Sequence, residues 1–368
     1  MVAAVALDLT GGIAVLGATG SIGTQTLDVI RTCLPHVRVR MLTAFSAIEK
    51  LDMLAQEFSP DVVCTGDDDI AAVVANCGAS VVVNALSGRA GLAPTLAAIN
   101  AGMHIALANK ESLVTAGALL MAAAREKNVR ITPIDSEHSA IWQCLNGRSD
   151  LPYEKIILTA SGGPFRDWPR ARIEREATAA RALQHPNWRM GAKITVDSAT
   201  MMNKGLEYIE ALHLFNAAPS QVEMVVHPQS IVHSAVQFAD GAVLAQLGTP
   251  DMRLPILYAL YAPTRVSTPY PRLDFLTMGA LTFEAPDEEK FPCLRLAKRA
   301  AALGGTAPAV MNAVNEWAVG QFLDGLIGFY DISAIISQAL HEYTVQPLTC
   351  PDDVWAAESW AREFVCQR

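Results

Sequence analysis

Three acidic residues could bind a divalent metal ion. Two of them occur in Ile134-Asp135-Ser136-Glu137-His138, directly after an apolar, β-branched segment that is typical of a strand. In an extended segment, residues i and i+2 point to the same side, so Asp135 and Glu137 could reach one ion. Glu207, on a predicted helix, is a candidate third ligand. Three carboxylates without a Cys or His cluster favour magnesium or manganese over zinc, although a solvated pair of acids at a strand end is the alternative.

Several short polar segments could bind a phosphate group. Ser161-Gly162-Gly163 follows a predicted strand and could present a nest of backbone N–H groups, and Ser198 adds a hydroxyl. Asn203 and Lys204 add an amide and a positive charge near a helix. Each of these residues alone is more typical of a turn or a helix cap. Their occurrence together predicts a phosphate site.

A loop and a strand end could complete such a site. The segment from His185 to Met190 is rich in turn-forming residues but includes Trp188, so it could close over a substrate as a lid. Trp188 could equally be a buried anchor for a long loop. Asn109-Lys110-Glu111 follows a predicted strand, and α/β proteins bind ligands at the carboxyl edge of a parallel sheet. A solvated helix start is the alternative interpretation of that tripeptide.

A glycine-rich segment indicates a dinucleotide site. Gly17-Ala18-Thr19-Gly20-Ser21-Ile22-Gly23 follows the first predicted strand and leads into a helical spacing of apolar residues. Its glycines allow a tight turn and a close approach of the backbone, and the helix start offers free N–H groups to a pyrophosphate. The motif alone is weak, since a glycine-rich turn without a ligand is the alternative.

The end of the second predicted strand normally selects between the two nicotinamide dinucleotides. An acidic residue there favours the ribose hydroxyls of NAD, whereas a basic residue favours the 2′-phosphate of NADP. This chain has Ala44-Phe45-Ser46, which provides neither charge, although Lys50 is close enough in sequence to reach back. The pattern therefore leaves the selectivity open.

The elements that position these residues begin with alternating strands and helices. Alanine-rich helical stretches separate most of the predicted strands, although the stretch from Asp67 to Ser80 is short for a complete strand–helix unit. The pattern predicts an α/β fold with an N-terminal Rossmann-like, doubly wound domain. The predicted strands are Ile13 to Leu16, Val37 to Thr43, Asp61 to Cys64, Ser80 to Asn84, His104 to Ala108 and Val129 to Pro133.

The rest of the chain predicts an α+β catalytic domain and a C-terminal helical domain. We expect a helix from Ser198 to Phe215, and prolines indicate a linker over residues 262–291. The predicted division is 1–134 for the dinucleotide-binding domain, 135–261 for the catalytic domain, 262–291 for the linker and 292–368 for the helical domain. The later predicted strands are Ile156 to Thr159, Val222 to Val226, Ser230 to Phe238 and Ala242 to Gln246.

Length and composition exclude several classes of protein. The 368 residues exceed what one hydrophobic core usually supports. A formal charge of −9 argues against broad binding to nucleic acid or anionic lipid, and no apolar run reaches membrane-spanning length. Seven scattered cysteines without a Cys-x-x-Cys pair fit a reducing cytoplasm and no structural zinc. We expect a soluble, cytoplasmic protein without an export signal and without nucleic-acid or membrane partners.

Seven segments, in order along nearly the whole chain, resemble the 1-deoxy-D-xylulose 5-phosphate reductoisomerase family. Their common order makes chance agreement a poor explanation. The resemblance implies an NADPH-dependent homodimer that rearranges and reduces 1-deoxy-D-xylulose 5-phosphate to 2-C-methyl-D-erythritol 4-phosphate in non-mevalonate isoprenoid synthesis. The segments are Gly17 to Gly23, Ala108 to Ser112, Asp135 to His138, Ser161 to Phe165, His185 to Trp188, Val196 to Glu207 and His227 to Ser230.

The resemblance also implies roles for single residues. Asp135, Glu137 and Glu207 would bind a magnesium, manganese or cobalt ion that chelates the substrate's carbonyl and hydroxyl oxygens. Phosphate contacts are implied for Ser161, His185, Ser198, Asn203 and Lys204, contacts to the reacting carbons for Lys110, Ser136 and Glu137, and lid contacts for Trp188 and Met190. The implied NADPH contacts are Thr19, Gly20, Ser21, Ile22, Ser46, Asn109, Glu111 and Gly191.

The sequence departs from the family's pattern at one functional position. The family commonly has a glycine, a basic residue and an asparagine where this chain has Phe45-Ser46-Ala47, which puts the 2′-phosphate contact in question. Two rival functions remain. An ordinary nicotinamide-dependent dehydrogenase would explain the glycine-rich turn but not the three carboxylates with phosphate-binding groups. A binding protein that has lost catalysis would be expected to lose that charged cluster first.

Overall fold

The computed structural model describes residues 6–148, 152–184, 188 and 190–367, and the chain divides into two compact units. The first unit comprises Met1–Ser112, Leu120–Glu154 and His233–Asp274. The second unit comprises Leu113–Leu119, Lys155–Val232 and Phe275–Arg368. Each unit therefore combines segments that are distant in sequence.

A six-stranded parallel sheet forms the centre of the first unit. Its spatial order is β3-β2-β1-β4-β5-β6, and the order reverses between β1 and β4, as in doubly wound folds. The six predicted strands and the doubly wound architecture are confirmed, although several strands begin one or two residues later than predicted. The strands are β1 Ile13–Leu16, β2 Val39–Thr43, β3 Val62–Cys64, β4 Val81–Asn84, β5 His104–Leu107 and β6 Ile131–Pro133.

Helices flank this sheet. The central strands β1 and β4 are buried along their whole length, because helices on both faces exclude water from a parallel sheet. Leu27 of α1 and Ile256 of α11 belong to the same hydrophobic core as Val15. The helix α3 has five residues, which accounts for the short segment after Asp67. The helices are α1 Ser21–Cys33, α2 Ile48–Phe58, α3 Ile70–Val74, α4 Leu92–Asn100, α5 Lys110–Glu126, α6 Ser136–Cys144 and α11 Arg253–Tyr261.

The later strands lie where the sequence predicts them. In the second unit, β7 Lys155–Ala160 and β8 Val222–Val226 pair in parallel, from Ile156 beside Val222 to Ala160 beside Val226. The strands β9 Val232–Gln237 and β10 Val243–Leu247 lie almost wholly in the first unit. A strand-rich region between the parallel sheet and the C-terminal helices is confirmed.

Helices form most of the second unit. The predicted single helix from Ser198 to Phe215 is wrong, because Met201 adopts a left-handed conformation (φ 59°, ψ 12°) and separates α9 from α10. Methionine is not a helix breaker, so the residue type at position 201 does not predict this interruption. The helices are α7 Arg170–Glu176, α8 Ala179–Ala182, α9 Ala192–Thr200, α10 Met202–Leu214, α12 Pro292–Leu303, α13 Ala307–Leu323, α14 Phe329–Glu342 and α15 Pro351–Cys366.

The proline-rich segment between α11 and α12 contains no helix. Its backbone makes one isolated antiparallel bridge, between Glu284 and Val226. The C-terminal helical region is confirmed, since α12 to α15 follow the linker. Among the described residues, no helix is both long and apolar enough to cross a membrane.

Candidate active site

The glycine-rich turn connects β1 to α1 in the first unit. The N–H of Gly17 donates to the Thr43 hydroxyl at 3.0 Å, and the N–H of Ala18 donates to the Thr43 carbonyl at 2.7 Å. A Cβ atom on Gly23 would lie 2.2 Å from the Gly17 carbonyl oxygen, so only glycine allows the helix to pack this closely on the turn. No side chain caps α1 at Gly20, which leaves its first N–H groups available to a pyrophosphate.

Asn109 and Glu111 lie at the carboxyl end of β5. Asn109 is 1% exposed and caps α5, because its side-chain oxygen accepts from the Ser112 N–H at 3.1 Å. Its amide donates to the carbonyls of Leu86 and Gly88 and to the Glu111 carboxylate. A solvated helix start is therefore wrong for Asn109, whose side chain holds the loop after β4 in place.

Lys110 and Asp135 form a buried ion pair at the ends of β5 and β6. The Lys110 ammonium lies 3.0 Å from Asp135 Oδ2, and Lys110 is 6% exposed. The other oxygen of Asp135 lies 3.0 Å from Nδ1 of His138, which is fully buried. The Asp135 carboxylate is thus held by the Lys110 ammonium and the His138 imidazole. The sequence analysis gave His138 no role, although this residue ends the same motif.

The local conformation around Asp135 differs from the prediction. The segment is not extended: Asp135 is the N-cap of α6, and its carboxylate accepts from the Glu137 N–H at 3.2 Å. Glu137 lies in the first helical turn, where its carboxylate accepts from the Ser136 hydroxyl at 2.6 Å. Asp135 and Glu137 are still neighbours at one helix start, but the cap, and not strand alternation, brings them together.

Glu207 is buried among polar residues of its own helix in the second unit. Lys204 precedes it by three positions and Asn203 by four, so both side chains lie on the Glu207 face of α10. The Lys204 ammonium pairs with one carboxylate oxygen, and the Asn203 amide donates to the other. Lys204 is 4% exposed and Glu207 is 1% exposed, so water contributes little to their solvation.

The Ser161-Gly162-Gly163 turn packs against α9. Both glycines have positive φ values, 82° and 69°, which residues with a side chain rarely adopt. A Cβ atom on Gly163 would lie 2.7 Å from the Ser198 carbonyl oxygen. The turn and Ser198 are therefore neighbours in the second unit, as a shared phosphate site requires.

Asp197, beside Ser198, holds α9 to α13. Asn315 donates to one oxygen of the Asp197 carboxylate at 2.9 Å, and the Lys193 ammonium lies 2.9 Å from the other. Asp197 is 1% exposed. Burial, and after it the charge of Asp197, raises the pKa of the Cys293 thiol to about 12. Sequence reasoning assigned no role to Asp197, although it lies within the Val196 to Glu207 segment.

The predicted lid is described only in part. His185 lies outside the described residues, whereas Trp188 and Met190 are both half-buried. Gly191 is exposed at the N-cap of α9, and its carbonyl accepts from the Thr195 hydroxyl at 2.7 Å.

Three family models match successive parts of this chain. The model described as 1-deoxy-D-xylulose 5-phosphate reductoisomerase matches residues 13–70 and 62–117. The model of the C-terminal domain of the same enzyme matches residues 131–215, and a model described as DXP reductoisomerase C-terminal domain matches residues 247–364.

Curated relatives are similar over almost their whole length. The 1-deoxy-D-xylulose 5-phosphate reductoisomerase of Gloeobacter violaceus is 49% identical over 377 residues, covering 96% of both chains. That of Ruminiclostridium cellulolyticum is 48% identical, covering 95% of this chain and 97% of its own.

Solved structures of similar proteins have the same fold. The Zymomonas mobilis 1-deoxy-D-xylulose 5-phosphate reductoisomerase in complex with NADPH is 43% identical, with a TM-score of 0.88 over 97% of this chain and 98% of its own. A DOX-P reductoisomerase in complex with NADPH, fosmidomycin and magnesium is 40% identical, with a TM-score of 0.91 over 97% of each chain.

Proposed function

The chain belongs to the 1-deoxy-D-xylulose 5-phosphate reductoisomerase family, and from this premise we propose how its own residues carry out the family's reaction. It is an NADPH-dependent enzyme that converts 1-deoxy-D-xylulose 5-phosphate to 2-C-methyl-D-erythritol 4-phosphate with a divalent metal ion. The observation that carries this conclusion is an identity of 46–49% to several curated reductoisomerases over nearly the whole chain. The reaction cleaves and rejoins a carbon–carbon bond, and the branched aldehyde that results accepts a hydride.

We propose that Asp135, Glu137 and Glu207 hold the metal ion. The residues fit a hard cation, since all three are carboxylates, and each already has a polar partner that fixes its orientation. Held by these three carboxylates, a bound ion would supply Lewis-acid polarisation of the substrate carbonyl. Magnesium and manganese, with cobalt as a further candidate, suit this set of donors.

Lys110, Ser136 and Glu137 are proposed to face the reacting carbons. The buried Lys110 ammonium lies beside Asp135, so its charge can stabilise negative charge on a substrate oxygen in surroundings of low dielectric. The Ser136 hydroxyl donates to Glu137 and can pass its proton along that hydrogen bond. Lys110, Asp135, Glu137 and Glu207 are the residues to which we assign catalysis.

The substrate phosphate is proposed to lie in the second unit, against the turn of Ser161. The close packing of Gly163 on Ser198 supports this assignment, and Lys204 supplies a positive charge. Backbone N–H groups, hydroxyls and one ammonium bind a phosphate locally, which suits a chain of net charge −9. The full proposed set is Ser161, His185, Ser198, Asn203 and Lys204, with Trp188 and Met190 covering the substrate.

We propose that NADPH binds at the β1–α1 turn. The uncapped start of α1 and the absence of a Cβ at Gly23 support a pyrophosphate beside this backbone. The proposed contacts are Thr19, Gly20, Ser21, Ile22, Ser46, Asn109, Glu111 and Gly191. The corresponding division of the chain is 1–134 for NADPH binding, 135–261 for catalysis, 262–291 as linker and 292–368 as helical domain.

We further propose that the enzyme acts as a cytoplasmic homodimer. The terminal strand β10 exposes Val243 and Leu244, which are 50% and 51% accessible. An apolar edge strand invites pairing with another chain, and a second copy is the proposed partner. Light scattering on the purified protein should give the mass of two chains, and Val243→Lys should shift that mass towards one.

One assay tests the proposed function. Purified protein is mixed with 1-deoxy-D-xylulose 5-phosphate, NADPH and magnesium, and the loss of nicotinamide absorbance is followed. We expect absorbance to fall only when substrate and metal are both present, and the branched product to appear in equal amount. NADPH consumption without the sugar phosphate, or none in a folded protein that binds NADPH, would contradict the proposal.

A further inference from the structure

The strand end that selects the cofactor lacks a charge of its own in this protein. After β2, Phe45 is 83% exposed, and Ser46 and Ala47 lead into α2 without a side-chain cap. A cation near this point favours NADPH over NADH, because the 2′-phosphate is an anion. Such a cation would have to be supplied by a residue outside Phe45-Ser46-Ala47.

Lys50 brings a positive charge to this place from the first turn of α2. Its ammonium donates to the carbonyl oxygen of Thr19 at 2.8 Å, across 31 positions of sequence. Thr19 belongs to the glycine-rich turn, so this bond places the ammonium beside that turn. An ammonium has three N–H donors, and the bond to Thr19 occupies one of them.

Three arginines of α1 and β2, or of the segment between them, are already paired with carboxylates. Arg31 makes two hydrogen bonds to Glu57, at 2.5 and 2.9 Å. Arg38 and Arg40 both pair with Asp61. Within residues 6–148, which the structure describes, no carboxylate forms an ion pair with Lys50, so its charge is available to an anion.

We propose that the Lys50 ammonium binds the ribose 2′-phosphate of NADPH and sets the preference for NADPH over NADH. The inference rests on the proposed cofactor site at the β1–α1 turn and names a specificity residue within it. Ser46, exposed beside β2, can add a hydroxyl to the same phosphate. Lys50 thereby provides the positive charge that Phe45, Ser46 and Ala47 do not.

The test compares cofactor binding in Lys50→Gln and Lys50→Arg with the unchanged protein. Dissociation constants for NADPH and NADH are measured by fluorescence titration, and 2′,5′-ADP is compared with 5′-ADP as a competitor. We expect Lys50→Gln to raise the dissociation constants of NADPH and 2′,5′-ADP by about tenfold and that of NADH by less than about twofold. Lys50→Arg should retain most of the affinity, and added salt should weaken NADPH binding less in Lys50→Gln.

Lys127→Gln is the matched control. Lys127 is an exposed lysine at the C-cap of α5, just before β6, so it lies at the opposite edge of the sheet. The Lys127→Gln variant should bind NADPH and NADH with the same dissociation constants as the unchanged protein.

Equal weakening of NADPH and NADH in Lys50→Gln, or no change in either, would overturn the inference while leaving the proposed function intact. Failure of the unchanged protein to bind NADPH or to reduce 1-deoxy-D-xylulose 5-phosphate would instead contradict the proposed function, and the inference with it.

Discussion

Two of the three candidate metal ligands, Asp135 and Glu207, each form an ion pair with a buried lysine. Asp135 pairs with Lys110 and Glu207 with Lys204, and all but Asp135 are less than 10% exposed. Removing one partner of a buried pair leaves an uncompensated charge, which typically costs about 3–5 kcal/mol. Tests of these residues therefore need neutral substitutes of the same shape.

We predict that Glu207→Gln abolishes turnover and leaves the protein folded. The amide keeps an oxygen for Lys204 but provides a far weaker metal ligand, so kcat should fall by at least about a hundredfold. Stopped assays measure kcat, and circular dichroism checks the fold. Glu223→Gln, which removes an exposed acid paired with Lys155 in the same unit, is the control and should leave kcat unchanged. Normal turnover in Glu207→Gln would remove it from the metal site.

Residue identities were easier to predict here than local geometry. The acid-rich motif predicted Asp135 and Glu137 as neighbours, but it was interpreted as an extended segment. An Asp before a helical run is also an N-cap signal, and in this chain that signal decides the conformation. The pairing of His138 with Asp135 follows from the first turn of α6, so it could not be predicted from an extended segment.

At the scale of the elements, α9 and α10 carry three of the five proposed phosphate contacts, Ser198, Asn203 and Lys204. Their relative direction depends on the left-handed Met201, where the Thr200 hydroxyl accepts from the Met202 N–H at 3.3 Å. The strands could be predicted because apolar, β-branched runs bounded by polar residues rarely form anything but buried strands. The break at Met201 could not be predicted, since the tertiary contacts of both helices stabilise a conformation that Met alone disfavours.

We predict that Asp197→Asn impairs substrate binding more than catalysis. The change removes the charge that holds Lys193 and weakens the bond from Asn315, so α9 loses part of its attachment to α13. The KM for the sugar phosphate should rise by about tenfold through displacement of Ser198, with a smaller change in kcat. Asp324→Asn, at the exposed C-cap of α13, is the control. A fall in kcat without a change in KM would contradict this positioning role.

We predict opposite effects of alanine at two helical glycines. A Cβ atom on Gly117, beside the non-helical Ala116 in α5, would lie 2.3 Å from the His213 ring. Gly117→Ala should therefore lower the free energy of unfolding by about 1–3 kcal/mol. A Cβ atom on Gly320 in α13 would have no neighbouring atom within 4 Å. Gly320→Ala should therefore raise the free energy of unfolding by about 0.5–1 kcal/mol. Urea unfolding measures both, and a stabilised Gly117→Ala would show that the His213 contact is not tight.

Burial of His213 also makes the free energy of unfolding depend on pH. Burial lowers the pKa of His213 below its usual 6.5. Below pH 6.5 the His213 imidazole is therefore protonated more readily in the unfolded chain than in the folded protein. The free energy of unfolding consequently falls as the pH is lowered. We predict that urea unfolding between pH 7 and pH 5 shows a smaller decrease in His213→Gln than in the unchanged protein. An identical decrease would show that other groups account for it.

At the scale of the whole molecule, sequence order and compact units do not coincide. The first unit takes in β10 and α11, which follow the second unit's β7 and β8 in sequence. Chain length predicted more than one core, but hydrophobic periodicity describes single elements, and nothing in it specifies which distant elements pack together. The proposed acids illustrate this: Asp135 and Glu207 are 72 positions apart in the printed sequence, and the chemistry of their side chains, not hydrophobic periodicity, made Glu207 a candidate third ligand.

The most direct test of the account is manganese binding, followed by electron paramagnetic resonance of the free ion. The titration is done in the presence of NADPH, on the unchanged protein and on Asp135→Asn, Glu137→Gln and Glu207→Gln. We predict one manganese ion per unchanged chain and an affinity at least about tenfold weaker in each variant, because each variant removes one ligand of the same ion. Unaltered manganese affinity in Glu207→Gln, with loss in Asp135→Asn, would contradict it.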